Sequence, residues 1–520
     1  MPTPRPHSRW GEPRQGSGRW ARAAEWPVAL RGDGGHRLLS CCRPIGDPAA
    51  NDDEEVIVPP RPQHRAGPDR RTFLRYTAGA AAVLPLTALA GCGGSARDSN
   101  TIRVAFQQFG SGTLMEQWIQ RTAENYSRDF PDRTIELVPI VASENDYFTK
   151  NELLMTSPRT SPDLVYEDTF ILLSDVGAGY LQPVDDFAST WEHWEDVAEV
   201  SQEAVTAPDG KIYAIPTHTD TRGIWYHKGV FADAGLPEDW EPGSWEDILE
   251  AARTIKEASP DVAPLFIFSG MPQGEKASMQ GFEMLLYGTE SRLYDEDAQK
   301  WVVGSQGFID ALEFLRTVFE EELTLSLGQN LDPNIGESIY SQILPDGGLG
   351  MVIDGSWISQ NWTEDAPSPW PEWSETMGVV RMPTQDGGGS GSVTLAGGWC
   401  WAIPQHATDP EASASFIEAL LTTENTVQRA IEDNQITVRA DVAEVEEYQT
   451  YSPTAEFFTG LLGDAYYRPA FAEYPEISSA IQEAMETVMT MRSTPEQAAA
   501  AYDRAVIDIV GEDSVEEETP

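Results

Sequence analysis

From residue 101 onward, short apolar runs rich in β-branched residues alternate with amphipathic helical stretches, and this alternation restricts the chain to layered α/β architectures. Thr101–Phe106 (TIRVAF) reads as a strand and Leu114–Phe130 as an amphipathic helix. Thr134–Val141 (TIELVPIV) is a second strand, and Leu164–Tyr166 begins a third after the Ser161–Pro162 turn. Strand–helix–strand order predicts a largely parallel sheet, since parallel neighbours need a crossover. Asp209–Gly210 forms a turn between Val205 and Ile212–Ile215. Ser244 should cap a helix running through Lys256, with Asp247 supplying the carboxylate of a capping-box variant. Gln385–Ser392 is glycine-rich and reads as a surface loop. Another helix is expected after Thr408–Asp409–Pro410, with Pro410 in its first turn, and a last one over roughly Thr494–Val510. The acidic Glu516–Thr519 end is expected to fray.

Ahead of this body stands an address. Asp69–Arg70–Arg71–Thr72–Phe73–Leu74 is followed by an uncharged run from Tyr76 to Ala90 and by Leu89–Ala90–Gly91–Cys92. A basic region, a moderate apolar region and a small-residue cleavage site make a secretory signal. The paired arginines resemble a twin-arginine signal, and Leu-Ala-Gly-Cys resembles a lipobox, which makes Cys92 the expected lipidation residue. The apolar run falls short of the roughly 20 residues of a membrane span and is broken by Pro85. Residues 69–92 are therefore expected to be a twin-arginine lipoprotein signal and 93–100 a flexible tether. The body would then sit on the extracellular face of the cytoplasmic membrane, held by lipid. Residues 1–68, rich in Arg, Pro and Gly, are expected either to precede the true start, near Val56 or Val58, or to form a disordered leader.

Charge excludes one class of partner. The formal net charge is −49, and residues 1–91 hold 13 Lys+Arg against 9 Asp+Glu, leaving 22 bases and 75 acids beyond them. So negative a field repels phosphates, which argues against nucleic acid. Many acids with only six lysines resembles proteins of salt-loving microbes, whose surface charge is screened by molar salt; an ordinary acidic surface used for solubility is the alternative. Hydrophobic residues at 40% still allow a folded core. The four cysteines, Cys41, Cys42, Cys92 and Cys400, form neither a disulfide framework nor a metal pattern. No metal and no cofactor are expected. Cys400, between Trp399 and Trp401, reads as a small buried hydrophobe.

The stretch Asp209–Lys256 begins DGKIYAIPTHTDTRGIWYHKGVFADAGLP and ends SWEDILEAARTIK. It resembles the extracellular solute-binding proteins of carbohydrate ABC importers, the family of maltose- and trehalose-binding proteins. There a hairpin, a Pro, a polar hinge crossing, a Tyr-Asn-Lys strand and a capped helix opening with Trp follow one another; here the strand reads Tyr226–His227–Lys228, with His in place of Asn. Gly350–Trp357 (GMVIDGSW) looks like the family's Ala-Met-x-x-x-Gly-x-Trp segment. Met377–Pro383 (MGVVRMP) looks like the return crossing, and Ala396–Gly397–Gly398–Trp399 before Ile403–Pro404 like the Gly-Gly strand. The resemblance covers about Thr101 to Val510. It implies a two-lobed periplasmic-binding-protein-like α/β fold with discontinuous lobes and a hinge. Lobe one is expected at about 100–217 plus 379–434 and lobe two at about 218–378 plus 435–515. It also implies a monomer without catalytic activity that delivers a sugar or small oligosaccharide to importer membrane subunits.

A sugar offers apolar faces to aromatic plates and hydroxyls to carboxylates, amides and guanidinium groups. Asp220, at the implied hinge crossing, is the first candidate hydroxyl acceptor, with hinge capping as the alternative. Trp357 and Trp399 are the stacking candidates, with core packing as the alternative, and Gly398 joins the binding set beside Trp399. Asp168 and Glu167 follow the third strand at its carboxyl end, where open α/β sheets bind ligands, and Gln107 and Gln108 end the first strand in the same way. Arg468, in Tyr466–Tyr467–Arg468–Pro469, resembles an arginine the family uses on hydroxyls, with a surface ion pair as the alternative. Glu144 completes the set. Two other function classes stay open: an anchored glycan-processing enzyme using two carboxylates, and a binding protein for a polyamine or peptide, since acidic aromatic clefts hold cations. No nucleophile elbow, HExxH pair or P-loop is present.

Overall fold

Two mixed sheets organise the structure, a computed structural model that describes residues 97–108, 112–364 and 366–518. The chain divides into Met1–Leu89 and Ala90–Pro520, and the second unit holds every described element. The leader, the signal segment with Cys92, and the start of the tether lie outside the described residues.

The first sheet runs in the order Thr134–Val141, Thr101–Gln108, Leu164–Asp168, Gly398–Ala402, Ala214–Thr219. Its first three strands are parallel, as the strand–helix rhythm predicts. Gly398–Ala402 is antiparallel to both of its neighbours. The sheet is therefore mixed rather than largely parallel, because this strand enters from the other lobe and not over a helical crossover. The helices Leu114–Asp129 and Pro410–Leu420 cover one face, packing Trp118, Ile119, Phe416 and Leu420 on Val104, Phe106 and Trp401. Glu144–Met155 and Thr169–Gly177 cover the other, where Tyr147, Phe148 and Leu172 meet Ala105, Val165 and Cys400. Cys400 is fully buried, in keeping with a small apolar role.

The second sheet runs Met377–Val380, Arg222–His227, Leu349–Gly355, Ala263–Phe266. Ile224, Leu265, Met351 and Ile353 bury one face against helices that include Trp245–Ala258, Gln306–Glu320 and Tyr474–Met489. Trp225, Phe266 and Val352 bury the other against Tyr340, Ile358 and Trp362. The cap expected at Ser244 is present: its hydroxyl accepts from Asp247 N–H, while Asp247 accepts from Gly243 N–H. Thr494 and Gln497 form a full capping box on Pro495–Val510. One expectation is corrected at the C-terminus. Val515–Glu517 is not frayed but pairs in parallel with Lys300–Val303, and Glu518 accepts from Ser291 Oγ and Gln306 N–H.

Three chain segments link the lobes. Asp220 and Thr221 separate the last strand of the first sheet from Arg222–His227 of the second. Ser392–Ala396 leads into Gly398–Ala402, and the chain returns to the second lobe between Tyr448 and Phe458, after which Ala465–Tyr467 pairs in parallel with Ser392–Ala396 in a small third sheet. Thr394 Oγ1 accepts from Arg222 N–H and donates to Arg222 O, stitching two of these crossings together. Among the described residues no helix is long and apolar enough to cross a membrane.

Candidate functional site

Where the crossings meet, the carboxyl ends of Thr101–Gln108 and Leu164–Asp168 face the end of Leu349–Gly355 across a cleft of about 260 Å³. Gln107, Asp168, Asp220, Trp357, Trp399 and Arg468 line it, so six of the sequence candidates are brought together. Gln108, Glu167 and Gly398 do not line it. The side chain of Glu144, at the start of its helix, lies outside the described residues.

Asp220 ties the hinge. Its Oδ1 accepts from Gly397 N–H at 2.8 Å and pairs with the Arg222 guanidinium, and both side chains are buried. Arg222 Nε is buried without a hydrogen-bond partner, and its guanidinium lies over the Trp357 ring, 4.9 Å from the centroid. Trp357 folds back on its own strand end: a Cβ at Gly355 would meet the indole at 1.8 Å, so only glycine allows that rotamer. Trp399 stands on the opposite lobe, stacked on Tyr166 at 5.0 Å and on Phe148 at 5.9 Å between ring centroids. It is thus both core and cleft wall. Gly398 has a backbone role, since a Cβ there would come within 2.8 Å of His218 O.

Arg468 is not a surface ion pair. Its side chain is buried, and it bonds Asp168 of the first lobe at 2.7 Å and Glu275 of the second at 3.0 Å. Asp168 also caps the helix Thr169–Gly177, accepting from Phe170 N–H. Glu275 accepts from Tyr474 and Ser478 hydroxyls, yet burial still holds its carboxyl above the usual range. Glu283, reached by the same Tyr474 hydroxyl, is pushed up to about 8, mainly by burial and then by Glu275. Glu167 lies between Tyr166 and Asp168 and points to the other face of the sheet, where it accepts from Asn151. Burial and then the neighbouring Asp175 raise its pKa well above that of a free carboxylate.

Sequence reasoning missed several lining groups. His218, pushed down to about 4 by burial, is neutral and sits 2.9 Å from Thr217 Oγ1. Arg429 pairs with Asp433 one turn further along its helix. Gln280 and Tyr340 both donate to Asp354 of the second sheet. None carries a motif; only the spacing of Arg222 two residues after Asp220 could have been noticed. Among the described residues four carboxylates line the cleft, Asp168, Asp220, Glu275 and Asp433, and each is paired with an arginine of the same cleft.

Relatives and solved structures agree with this architecture. A binding protein of Brucella abortus is 21% identical over 427 residues, 81% of this chain and 95% of the relative. An arabinooligosaccharide-binding protein of Halalkalibacterium halodurans is 24% identical over 278 residues, 52% of this chain and 57% of the relative. An ABC transporter solute-binding protein of Thermotoga lettingae, solved with α-D-tagatose bound, superposes with a TM-score of 0.68 at 21% identity, covering 79% of this chain and 100% of that one. The fold is thus the two-lobed periplasmic-binding-protein fold. Residues 110–427 match the model of the bacterial extracellular solute-binding proteins, and the chain belongs to that family.

Proposed function

We propose that the chain captures a neutral sugar or small oligosaccharide in this cleft and passes it to the membrane subunits of an ABC importer. The observation that carries the proposal is the arginine pairing of the four described lining carboxylates. In so acidic a chain, an unpaired carboxylate cluster would draw a polyamine. Paired carboxylates instead offer their remaining lone pairs to hydroxyls, while the paired arginines keep donors for the same groups. The neutral His218 and the walls of Trp357 and Trp399 suit the apolar faces of a pyranose or furanose ring. The sugars named for the Halalkalibacterium and Thermotoga proteins support the same class. Neither those relatives nor the paired cleft favours glycoside hydrolysis, because a hydrolytic pair needs one carboxyl available as an acid and the other as a nucleophile or base.

Export through the twin-arginine signal and lipid attachment at Cys92 belong to the same proposal, supported by Asp69–Cys92. The lobes are proposed to run over about 100–217 plus 379–434 and 218–378 plus 435–515, with the return to lobe one better drawn near residue 396, since Val380, Met382, Val393 and Leu395 pack in the second-lobe core. The second return is better drawn later, near residue 451. Val438 lies in the first core, and Ala430, Val442 and Tyr448 pack on one another. A panel of mono- and oligosaccharides, polyamines and oligopeptides in molar salt tests the ligand class, since a ligand bound only by the folded state raises Tm. A saccharide should raise it in proportion to the logarithm of concentration. A shift confined to polyamines or peptides would overturn the proposal.

A further inference from the structure

On the first lobe, away from the cleft lining, the fold brings the neighbouring His193 and Asp196 against Asp441, which lies far along the chain. His193 precedes the short turn Trp194–Asp196, and Asp441 lies on the helix Ala440–Ala443. His193 Nδ1 is 3.6 Å from Asp196 Oδ2 and 3.5 Å from Asp441 Oδ2, and one ligand atom from each residue falls within 4.8 Å of the others. The two segments are fastened by backbone. Val197 bridges Arg439, and Ala198 N–H donates to Val438 O at 2.8 Å. Trp191 supports the arrangement from beneath, edge-on to His193 at 5.6 Å and under the Arg439 guanidinium at 5.4 Å.

We propose that His193, Asp196 and Asp441 form a binding site for a divalent transition-metal ion of the zinc type. A tetrahedral ion with bonds of about 2.05 Å spaces its ligands about 3.3 Å apart, close to the two nitrogen–oxygen edges found here. The imidazole selects the class: calcium and magnesium take oxygen ligands, whereas zinc and its neighbours accept mixed nitrogen and oxygen. The surroundings orient the ligands as outer groups of metal sites do. Asp441 is gripped by Arg439, Nε to Oδ1 at 2.9 Å and a terminal nitrogen to Oδ2 at 2.6 Å, and by Thr423 Oγ1 at 2.8 Å. Glu192 Oε1 lies 3.8 Å from His193 Nε2, on the side of the ring away from Nδ1, the nitrogen that the imidazole presents to the two aspartates. The two aspartates balance a divalent ion, and Glu192 balances Arg439, so the loaded site carries no net charge. The three side chains are 20%, 40% and 25% exposed, leaving the fourth ligand position to water and the ion open to exchange. A bound ion would staple the Trp191–Val197 segment to the Ala440–Ala443 helix. Sequence gave little hint of it, because only the His193–Asp196 spacing is local.

The test uses the full chain, stripped with EDTA and titrated calorimetrically with ZnCl2 in molar salt at neutral pH. The expected result is one equivalent bound, a raised Tm, and no matching equivalent for CaCl2 or MgCl2. CoCl2 should give the intense visible absorption of a tetrahedral site. His193→Ala and Asp196→Asn should each weaken zinc binding about tenfold or more, with metal-free unfolding midpoints close to that of the parent. That midpoint separates loss of a ligand from loss of the fold. Asp441→Asn leaves Arg439 half-partnered and is read only beside the other two. Zinc bound equally well by His193→Ala, or no stoichiometric binding at all, would overturn the site.

Discussion

The cleft and the groove beside Tyr466 use acidic residues in opposite ways. In the cleft each carboxylate lies on an arginine, and Asp168, Asp220, Glu275 and Asp433 are all nearly inaccessible to water. The groove on the second lobe is lined by Glu290, Asp295, Glu296, Asp297, Asp386 and Glu516, with Arg292 held between Tyr287 and Tyr466. Water and salt ions can screen the groove; in the cleft only protein can. With 22 basic residues beyond residue 91 against 75 acids, arginine is scarce, and it is concentrated where an unpaired charge would cost most. The acidity of the whole chain therefore says little about its ligand.

The sharpest way to break this contrast is to unpair the cleft. Arg468→Ala leaves Asp168 and Glu275 buried without their cation and should cost about 3–5 kcal/mol of stability by denaturant unfolding. An equivalent change on the groove's rim, Glu296→Ala, should stay within about 0.5 kcal/mol; equal costs would erase the distinction. The two tryptophans come next. Trp399→Ala removes a ring stacked on Tyr166 and Phe148 and should cost about 3 kcal/mol in stability as well as ligand affinity. Trp357→Ala should lose affinity by about tenfold or more while costing less stability, a difference that calorimetry and unfolding together resolve.

A smaller effect is read in pH. Glu283 holds its proton up to about 8 in the folded chain, whereas in the unfolded chain it ionises near the ordinary carboxylate value. The native state binds the extra proton between those values, so this group's contribution to stability falls as pH rises from about 4.5 to about 8. Glu283→Gln, which keeps an acceptor for Tyr474, should flatten that fall, and Tm measured from pH 5 to 8 checks it. An unchanged slope would remove Glu283 as its source.

Much of the first lobe was legible because its strands and helices follow one another locally, from Thr101–Gln108 through Leu164–Asp168. The return strand Gly398–Ala402 was not, since its antiparallel pairing is decided by a crossing rather than by its own residues. Val515–Glu517 escaped because its acidic composition concealed a parallel edge partner. In the site, residues tied to the hinge or to strand ends stood out. Strand alternation, which separates Glu167 from Asp168, was available in the sequence but unused. His218, Gln280 and Arg429 had no local signature; tertiary packing alone brings them to the cleft.

Salt discriminates the two regions most directly. Raising NaCl from about 0.2 M to about 2 M shrinks the Debye length to a few ångströms or less, and should raise the unfolding midpoint of this acidic chain. Affinity for the ligand should respond otherwise. Titration calorimetry with the saccharide that gives the largest thermal shift, at both salt concentrations, should return Kd values within about twofold of each other, because a neutral ligand in a charge-paired cleft releases no counterions. A Kd that weakens more than about tenfold in the higher salt would mean that the cleft recognises a charge, and the account of a neutral sugar site would be wrong.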